Sequence, residues 1–541
     1  MSRTSRRIAR SFWFGLGISL LWSTAAEAEQ RPNILFIAVD DLRPSLGCYG
    51  DELAISPHID SLANRGTRFD RAYCQVAVCN PSRASLMTGQ RPDDLGVWTL
   101  PIHFREARPL AVTLPQWLRR FGYTAVSHGK IYHNPTPDPQ SWSEPIRPLP
   151  QLPDAYPDGT RGRIRAAQLE LPRNDWRKNN LRGPGTGISQ LDEQQLVDGA
   201  RTEMAIEDLK RLGKSGQPFF LAMGYIRPHL PWIAPEKFWK LHDPAKLKPI
   251  QNAFVTPNTP EYALSNNYEL RHYVDLMDIP TPHESREVSE QQARHLLHAY
   301  YACVTYVDSL IGQLLKALDD EGLRDNTIVV LWSDHGWKLG EHRGWGKMSN
   351  YEIDTRVPLI IAAPGHEPGV VNQPVELLDL FPTLCELAGV ERPDFAAGSS
   401  LAGLLANPNS AESRVAYSQY YRRLGDDEEY MGYAMRTPTH RFVEWREFAT
   451  GKPTTLELYD HREEHAETRN IVHDVPSQLV EQLQQQLLES HPRKPLQMTP
   501  AVHSNPSPGR QQAPISFRNE TDSDLYVYPI TTAGRRAGRR V

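Results

Sequence analysis

Cysteine is scarce in this chain, with five residues (Cys48, Cys74, Cys79, Cys303 and Cys385) among 541. None stands in a Cys-x-x-Cys pair, so zinc-ribbon and dithiol-redox chemistry find no support. Strong charge of either sign is also missing. A formal net charge of −5 leaves no polyelectrolyte footprint, and nucleic acid is not an expected partner. Past the N-terminus no apolar run approaches the ~20 residues needed to cross a bilayer, so no stable membrane span is expected. What the chain has is 39% hydrophobic and 23% charged residues, the balance of a soluble globular protein. Its length suffices for a large core and a second, smaller domain.

The first residues read as a targeting segment. Arg3, Arg6, Arg7 and Arg10 form a basic start, Phe12 to Trp22 an apolar stretch, and Ala26-Glu27-Ala28 a small-residue cleavage site. The apolar stretch is short for an anchor, which favours a signal peptide over residues 1–28 and export to the periplasm or medium. Ser5-Arg6-Arg7 hints at twin-arginine export, but Ala9 stands where a bulky apolar residue is expected. The odd cysteine count of an exported chain points to a reactive thiol or an intermolecular link. If Cys79 is that thiol, the other four either pair or stay buried.

Asn33 to Val39 is a continuous apolar run, the pattern of a strand buried on both faces, and Asp40-Asp41 ends it. Phe219 to Met223 and Thr327 to Trp332 repeat the form, the latter followed by Ser333-Asp334-His335-Gly336. Between them lie helical patterns, such as His298 to Leu318, with apolar residues at three- and four-residue spacing. This alternation predicts an α/β fold with a large, mostly parallel sheet flanked by helices, whose ligand sites lie beyond the carboxyl ends of strands. Residues 31–405 are expected to form the catalytic domain. Residues 410–490 form a smaller α+β unit with strands at Arg441–Trp445 and Leu456–Asp460 and a helix at Ser477–Ser490. Residues 491–541 form a flexible basic tail with one strand–turn–strand pattern at 515–517 and 525–528. The Pro-, Arg- and Gly-rich stretch 134–190 is expected to be a loop region bordering the site.

The chemistry gathers around Cys79. The run Cys79-Asn80-Pro81-Ser82-Arg83-Ala84-Ser85-Leu86-Met87-Thr88-Gly89 places a cysteine in a Pro-Ser-Arg turn before a Thr-Gly stop. Alone, that cysteine could be a small buried hydrophobe. Asp40, Asp41, Asp334 and His335 supply three carboxylates and an imidazole at two strand ends, a donor set for a hard divalent ion such as Ca²⁺ or Mg²⁺. Gly129-Lys130-Ile131-Tyr132-His133, Arg227-Pro228-His229-Leu230-Pro231 and Gly346-Lys347 add cations and histidines, which ester cleavage at an oxyanion needs.

These motifs resemble those of the type I sulfatases, the formylglycine-dependent branch of the alkaline-phosphatase superfamily, over roughly residues 31–490. Within that family the chain is most similar to the iduronate-2-sulfatase group. Ser333-Asp334-His335-Gly336-Trp337-Lys338-Leu339-Gly340-Glu341-His342, Ser349-Asn350-Tyr351 and Asp379-Leu380-Phe381-Pro382-Thr383-Leu384 carry that likeness further. The resemblance implies that a formylglycine-generating or anaerobic sulfatase-maturating enzyme converts Cys79 to formylglycine (3-oxoalanine). It implies that Asp40, Asp41, Asp334, His335 and the modified Cys79 bind the metal, usually Ca²⁺. A hydroxyl of the hydrated aldehyde attacks sulfur and forms a covalent sulfate–enzyme intermediate. Arg83 holds the diol, and Lys130, His229, Lys347 and Trp337 contact substrate. His229 or Lys347 protonates the leaving oxygen, and His133 takes the proton that lets the aldehyde re-form. The implied substrate is a sulfated glycan, such as a 2-O-sulfated uronate. Lys338 and Arg343 are expected to add positive charge for further sulfates or a carboxylate.

Two other readings share these residues. A phosphate or phosphonate ester hydrolase of the same superfamily would use the same fold and metal. A glycan-binding homologue without activity would keep Cys79 unmodified.

Overall fold

A computed structural model describes residues 31–498, apart from 157–158, 249, 251, 426–427 and 463–466, together with the backbone at 526–527 and 539–540. The expected signal segment and the tail residues Ile515–Phe517 lie outside the described residues. In the tail, Tyr526–Val527 pairs antiparallel with Arg539–Arg540.

The main sheet has seven strands: β1 (Asn33–Val39), β2 (Thr67–Phe69), β3 (Thr124–Gly129), β4 (Phe219–Tyr225), β5 (Thr327–Ser333), β6 (Leu359–Ala362) and β7 (Gly369–Val371). Their order across the sheet is β7-β2-β6-β5-β1-β4-β3. β5, β1, β4 and β3 are mutually parallel, and β6 alone runs against its neighbours. The expected mostly parallel sheet is thus observed. β1 explains why the central strands are apolar throughout. Leu35, Ile37 and Val39 join the core on one face, and Ile34, Phe36 and Ala38 join the core on the other. Successive side chains of a strand alternate, so a sheet covered on both faces favours apolar residues at consecutive positions.

Helices α1 (Cys79–Thr88), α3 (Val197–Gly213) and α4 (Glu290–Asp320) pack into the cores on the two faces of the sheet, whereas α2 (Thr160–Glu170) buries only Thr160. α4 begins at Glu290 rather than at His298, because Ser289 caps it by accepting the Gln292 N–H at 3.2 Å. The stretch 134–190 is less irregular than expected, since it contains α2 and a short strand at Thr186–Ser189.

A second sheet is an antiparallel meander of β8 (Ala416–Leu424), β9 (Glu428–Arg436), β10 (His440–Glu447) and β11 (Pro453–Asp460). Helix α5 (Ser477–Ser490) buries Leu483 and Leu487 in a cluster with Met431, Phe442 and Leu458. This unit props the loop that follows Lys347. Asn350 donates to the Gly432 carbonyl at 3.0 Å, and Arg422 donates to the Met348 carbonyl at 3.0 Å. All five cysteines are free thiols; Cys74, Cys79, Cys303 and Cys385 are buried and Cys48 is half-buried. Among the described residues, no helix is long and apolar enough to cross a membrane.

Candidate active site

Four adjacent parallel strands deliver the site at their carboxyl ends. Val39 pairs with both Ser333 and Tyr225, so the residues that follow, Asp40-Asp41 and Asp334-His335, emerge at the same level. Lys130 follows β3, and His229 lies on the turn after β4. The passage from β3 to Lys130 depends on glycine at two places. Gly129 has φ of +70°, and a Cβ there would stand 1.9 Å from the Gly224 carbonyl oxygen. A Cβ on Gly224 would meet the Lys130 carbonyl oxygen at 2.2 Å. Asp41 itself has φ of 60°, a strained conformation for a residue with a side chain and one that concentrates at functional sites.

Cys79 opens α1, whose ten residues are all buried. Its sulfur sits at a helix N-terminus, where the aligned peptide dipoles favour negative charge. His335 Nε2 is 3.2 Å from Cys79 Sγ, Lys347 Nζ 3.4 Å and Lys130 Nζ 3.7 Å. One helical turn on, Arg83 binds Asp334 Oδ2 at 2.8 Å and Asp40 Oδ1 at 3.1 Å, and it donates to the Lys130 and Ile131 carbonyls. Its contacts hold the two carboxylates rather than the Cys79 sulfur. Ser82 donates to the Asp334 carbonyl at 2.6 Å, which fixes α1 against the end of β5.

The carboxylates have opposed environments. Burial disfavours the charge on Asp40, but Lys130, His229 and Arg83 outweigh it and hold its carboxyl well below the usual range. Burial raises Asp41, and Lys347 at 2.7 Å with His229 offsets this only in part. Asp41 Oδ2 is buried without a hydrogen-bond partner. Asp40, Cys79, Asp334 and His335 place one donor atom each within 4.8 Å of one another, and Asp40, Asp41, Cys79 and His229 do the same. An orphaned carboxylate oxygen amid clustered oxygen donors fits a hard divalent cation. A third cluster, Glu352, His461 and Glu467, is already held by cations: Arg441 binds Glu467 at 2.5 Å and Arg436 binds Glu352 at 3.0 Å.

The two histidines are driven apart. Burial, and then Lys130, lower His133 to about 3, so it is a neutral base at neutral pH. His229 is pushed the other way: burial lowers it, but Glu269 and Asp41 outweigh burial and raise it. The geometry says the same. His229 Nδ1 lies 2.6 Å from the Leu230 carbonyl oxygen, which can only accept, and Nε2 lies 2.6 Å from Glu269 Oε1. Both ring nitrogens therefore carry protons. Two titratable groups with diverging proton affinities are the mark of an acid and a base in one site.

Burial and Asp40 raise the Cys79 thiol well above its ordinary value, so the residue as encoded is a neutral thiol and a poor nucleophile.

Glu269 is the site residue that the motifs did not reveal. It bridges His229 at 2.6 Å and Lys347 at 3.0 Å. It lies between the single turns Glu261–Ala263 and Leu270–His272, where nothing in the local pattern marks it. Trp337 is fully buried, with the Lys347 ammonium 5.1 Å from its ring centroid, so it packs against that lysine. One expectation about charge needs correction. Lys338 is buried against Asp354, and Arg343 donates to the Arg286 carbonyl at 2.5 Å, so neither extends the cluster around Cys79.

A family model described as Sulfatase matches residues 32–390, and one described as N-sulphoglucosamine sulphohydrolase, C-terminal, matches residues 340–493. The chain belongs to the sulfatase family. It is a sulfuric ester hydrolase. Human iduronate 2-sulfatase is 34% identical over 520 residues, covering 82% of this chain and 90% of that protein. Among solved structures, the phosphonate monoester hydrolase of Silicibacter pomeroyi superposes with a TM-score of 0.65 at 22% identity, covering 94% of this chain and 99% of that one. BT4656, solved in complex with D-glucosamine-2-N,6-O-disulfate, superposes with a TM-score of 0.63 at 23% identity, covering 86% of this chain and 99% of that one. These two likenesses establish the fold of this sulfatase. Sulfatases generally use a formylglycine and a metal ion, and the Cys79 neighbourhood offers a place for both.

Proposed function

We propose that this sulfatase removes sulfate from a sulfated carbohydrate, of the 2-O-sulfated uronate kind, after Cys79 has been converted to formylglycine by a maturation enzyme. The observation that carries the reading is the cluster at Cys79, where Asp40, Asp334 and His335 each offer a donor atom within 4.8 Å of one another and of its sulfur, and the Lys347 and Lys130 ammonium groups lie 3.4 and 3.7 Å from it. The likeness to human iduronate 2-sulfatase supports the substrate class. Export of the chain as a periplasmic or secreted enzyme rests on the N-terminal pattern at residues 1–28.

When bound, a hydrated aldehyde at position 79 supplies a hydroxyl nucleophile toward sulfur, and a divalent cation, Ca²⁺ or Mg²⁺, supplies Lewis-acid polarisation. Asp40, Asp41, Asp334 and His335 would hold the ion. Arg83 orients Asp40 and Asp334. Lys130 and Lys347 present ammonium groups at the Cys79 side chain, where the sulfate oxygens gather charge as the ester bond breaks. His229 gives its Nε2 proton to the leaving sugar oxygen. His133, neutral at neutral pH, has a ring nitrogen lone pair with which to accept a proton when sulfate is released.

The experiment compares the sulfate, phosphate and phosphonate esters of one aryl alcohol, together with peptide mass spectrometry across Cys79. Faster sulfate release with sulfur replaced by oxygen at residue 79 supports the reading. Dominant phosphonate or phosphate hydrolysis overturns the assignment of substrate, and an unmodified thiol in fully active enzyme overturns the formylglycine assignment.

A further inference from the structure

We propose that the segment carrying α2 and Trp176, together with Tyr268, forms a binding track for anionic glycan units beyond the sugar that loses its sulfate. The inference rests on the reading of the protein as a glycan sulfatase and extends it to the length of the substrate.

Charge is the first observation. The whole chain is mildly acidic, with a net charge of −5, yet between residues 160 and 182 seven Lys or Arg stand against only Glu170 and Asp175. Asp175 is taken by Arg177 at 2.7 Å. Arg161, Arg163, Arg165 and Arg173 are exposed and form no ion pair among the described residues. A local excess of exposed guanidinium groups on an otherwise acidic protein attracts polyanions, an attraction that weakens with added salt.

An aromatic stack supplies the second. Trp176 and Tyr268 lie 4.8 Å apart with their rings inclined by 16°, and they remain 43% and 44% exposed. Buried His272 holds both rings edge-on, at 4.5 Å from Trp176 and 4.4 Å from Tyr268. An exposed pair of large rings that is nonetheless held in place offers a flat apolar face with little ordering left to lose, suited to the C–H face of a sugar ring.

Position is the third. Tyr268 immediately precedes Glu269, whose carboxylate touches His229 and Lys347. The platform is therefore one residue removed from the groups that handle the leaving sugar oxygen. The Arg182 N–H bonds to the His272 carbonyl at 2.8 Å, and Arg177 donates to the Met277 carbonyl at 2.9 Å, which tie the end of the basic segment to the stretch that follows Tyr268. A glycan whose scissile sugar sits at Cys79 would leave across Tyr268 and Trp176 toward the arginines.

Calorimetric titration of the full chain with a heparin-derived disaccharide, a heparin-derived hexasaccharide and a DNA duplex of the hexasaccharide's charge tests the track. Hydrolysis of an aryl sulfate is followed in the same preparations. The hexasaccharide should bind about tenfold or more tighter than the disaccharide, a gap of about 1.4 kcal/mol. Trp176→Ala and the combined Arg161→Ala, Arg163→Ala, Arg165→Ala variant should each remove most of that gap, Trp176→Phe should keep it, and aryl sulfate hydrolysis should stay unchanged in all three. Equal binding of the two lengths in the unaltered protein, including no binding of either, overturns the proposal. So does a gap that survives both alanine variants, or DNA binding as tight as that of the hexasaccharide. If the length gap appears but aryl sulfate is not hydrolysed, the track stands and the proposed chemistry at Cys79 falls.

Discussion

Replacing Glu269 by Gln removes one buried negative charge beside His229 and Lys347 and keeps a polar group of nearly the same size. Glu269 Oε1 is 2.6 Å from His229 Nε2. Burial disfavours its charge, but Lys347 and His229 outweigh that and hold it ionised, well below the usual carboxylate range. A hydrogen bond to a charged group is worth about 1.5–3 kcal/mol. At about 1.4 kcal/mol per pH unit, its loss lowers the proton affinity of His229 by about one to two units. The sign follows from the balance at this histidine, where burial pushes down and Glu269 is the largest opposing influence. The assay is kcat/KM for an aryl sulfate as a function of pH. On the proposed mechanism, activity needs His133 neutral and His229 protonated. It is therefore lost on the acid side near the His133 value of about 3, and on the alkaline side as pH rises through the elevated His229 value. In Glu269→Gln the alkaline limb should move to lower pH by about one to two units while the acid limb stays in place. An alkaline limb that does not move, or moves upward, refutes His229 as the proton donor.

Cys79→Ala should abolish turnover while leaving the melting temperature nearly unchanged, since the thiol is a small buried group; retained activity would contradict the whole scheme. His133→Gln should release one equivalent of the sugar alcohol in a burst and then stall, a pattern seen by rapid-quench analysis of substrate in slight excess over enzyme. Chelation followed by readdition of Ca²⁺ or Mg²⁺ should remove and restore activity. At a ligand concentration of ~100 Kd the bound ion should add about 2.7 kcal/mol to stability, visible as a rise in Tm. Gly129→Ala should destabilise the protein by about 3 kcal/mol or more. The new Cβ would stand 1.9 Å from the Gly224 carbonyl at a φ of +70°. Thermal unfolding measures it, and an unchanged Tm would mean that the β3 turn adapts.

Much of the chemistry was legible because it lies next to features that local sequence encodes. Asp40-Asp41 and Asp334-His335 directly follow apolar runs that only a doubly covered strand explains, so their place at a strand end could be read off. Cys79 and Arg83 are four residues apart on one helix, and the spacing places them on one face. Ser477–Ser490 forms the helix its periodicity predicts, with the same ends. The α4 start was misplaced by eight residues because Glu290 to Leu297 is polar enough to mask the periodicity, whereas the Ser289 cap settles it.

Other properties belong to the fold. The sequence by itself determined the family, the mostly parallel sheet, and the identities of the carboxylates, lysines and histidines, because each sits in a short run whose residues are neighbours in the chain. Only the tertiary structure decided what those groups do to one another. It brings Glu269 from an unmarked stretch to His229, buries Trp337 beneath Lys347, turns Lys338 away to Asp354, and gives His133 and His229 opposite proton affinities. The physical reason is that desolvation and charge–charge interaction act through space over a few ångströms. Residues that are not chain neighbours, such as Asp41, His229 and Glu269, set these quantities together with burial, and local pattern carries little record of them.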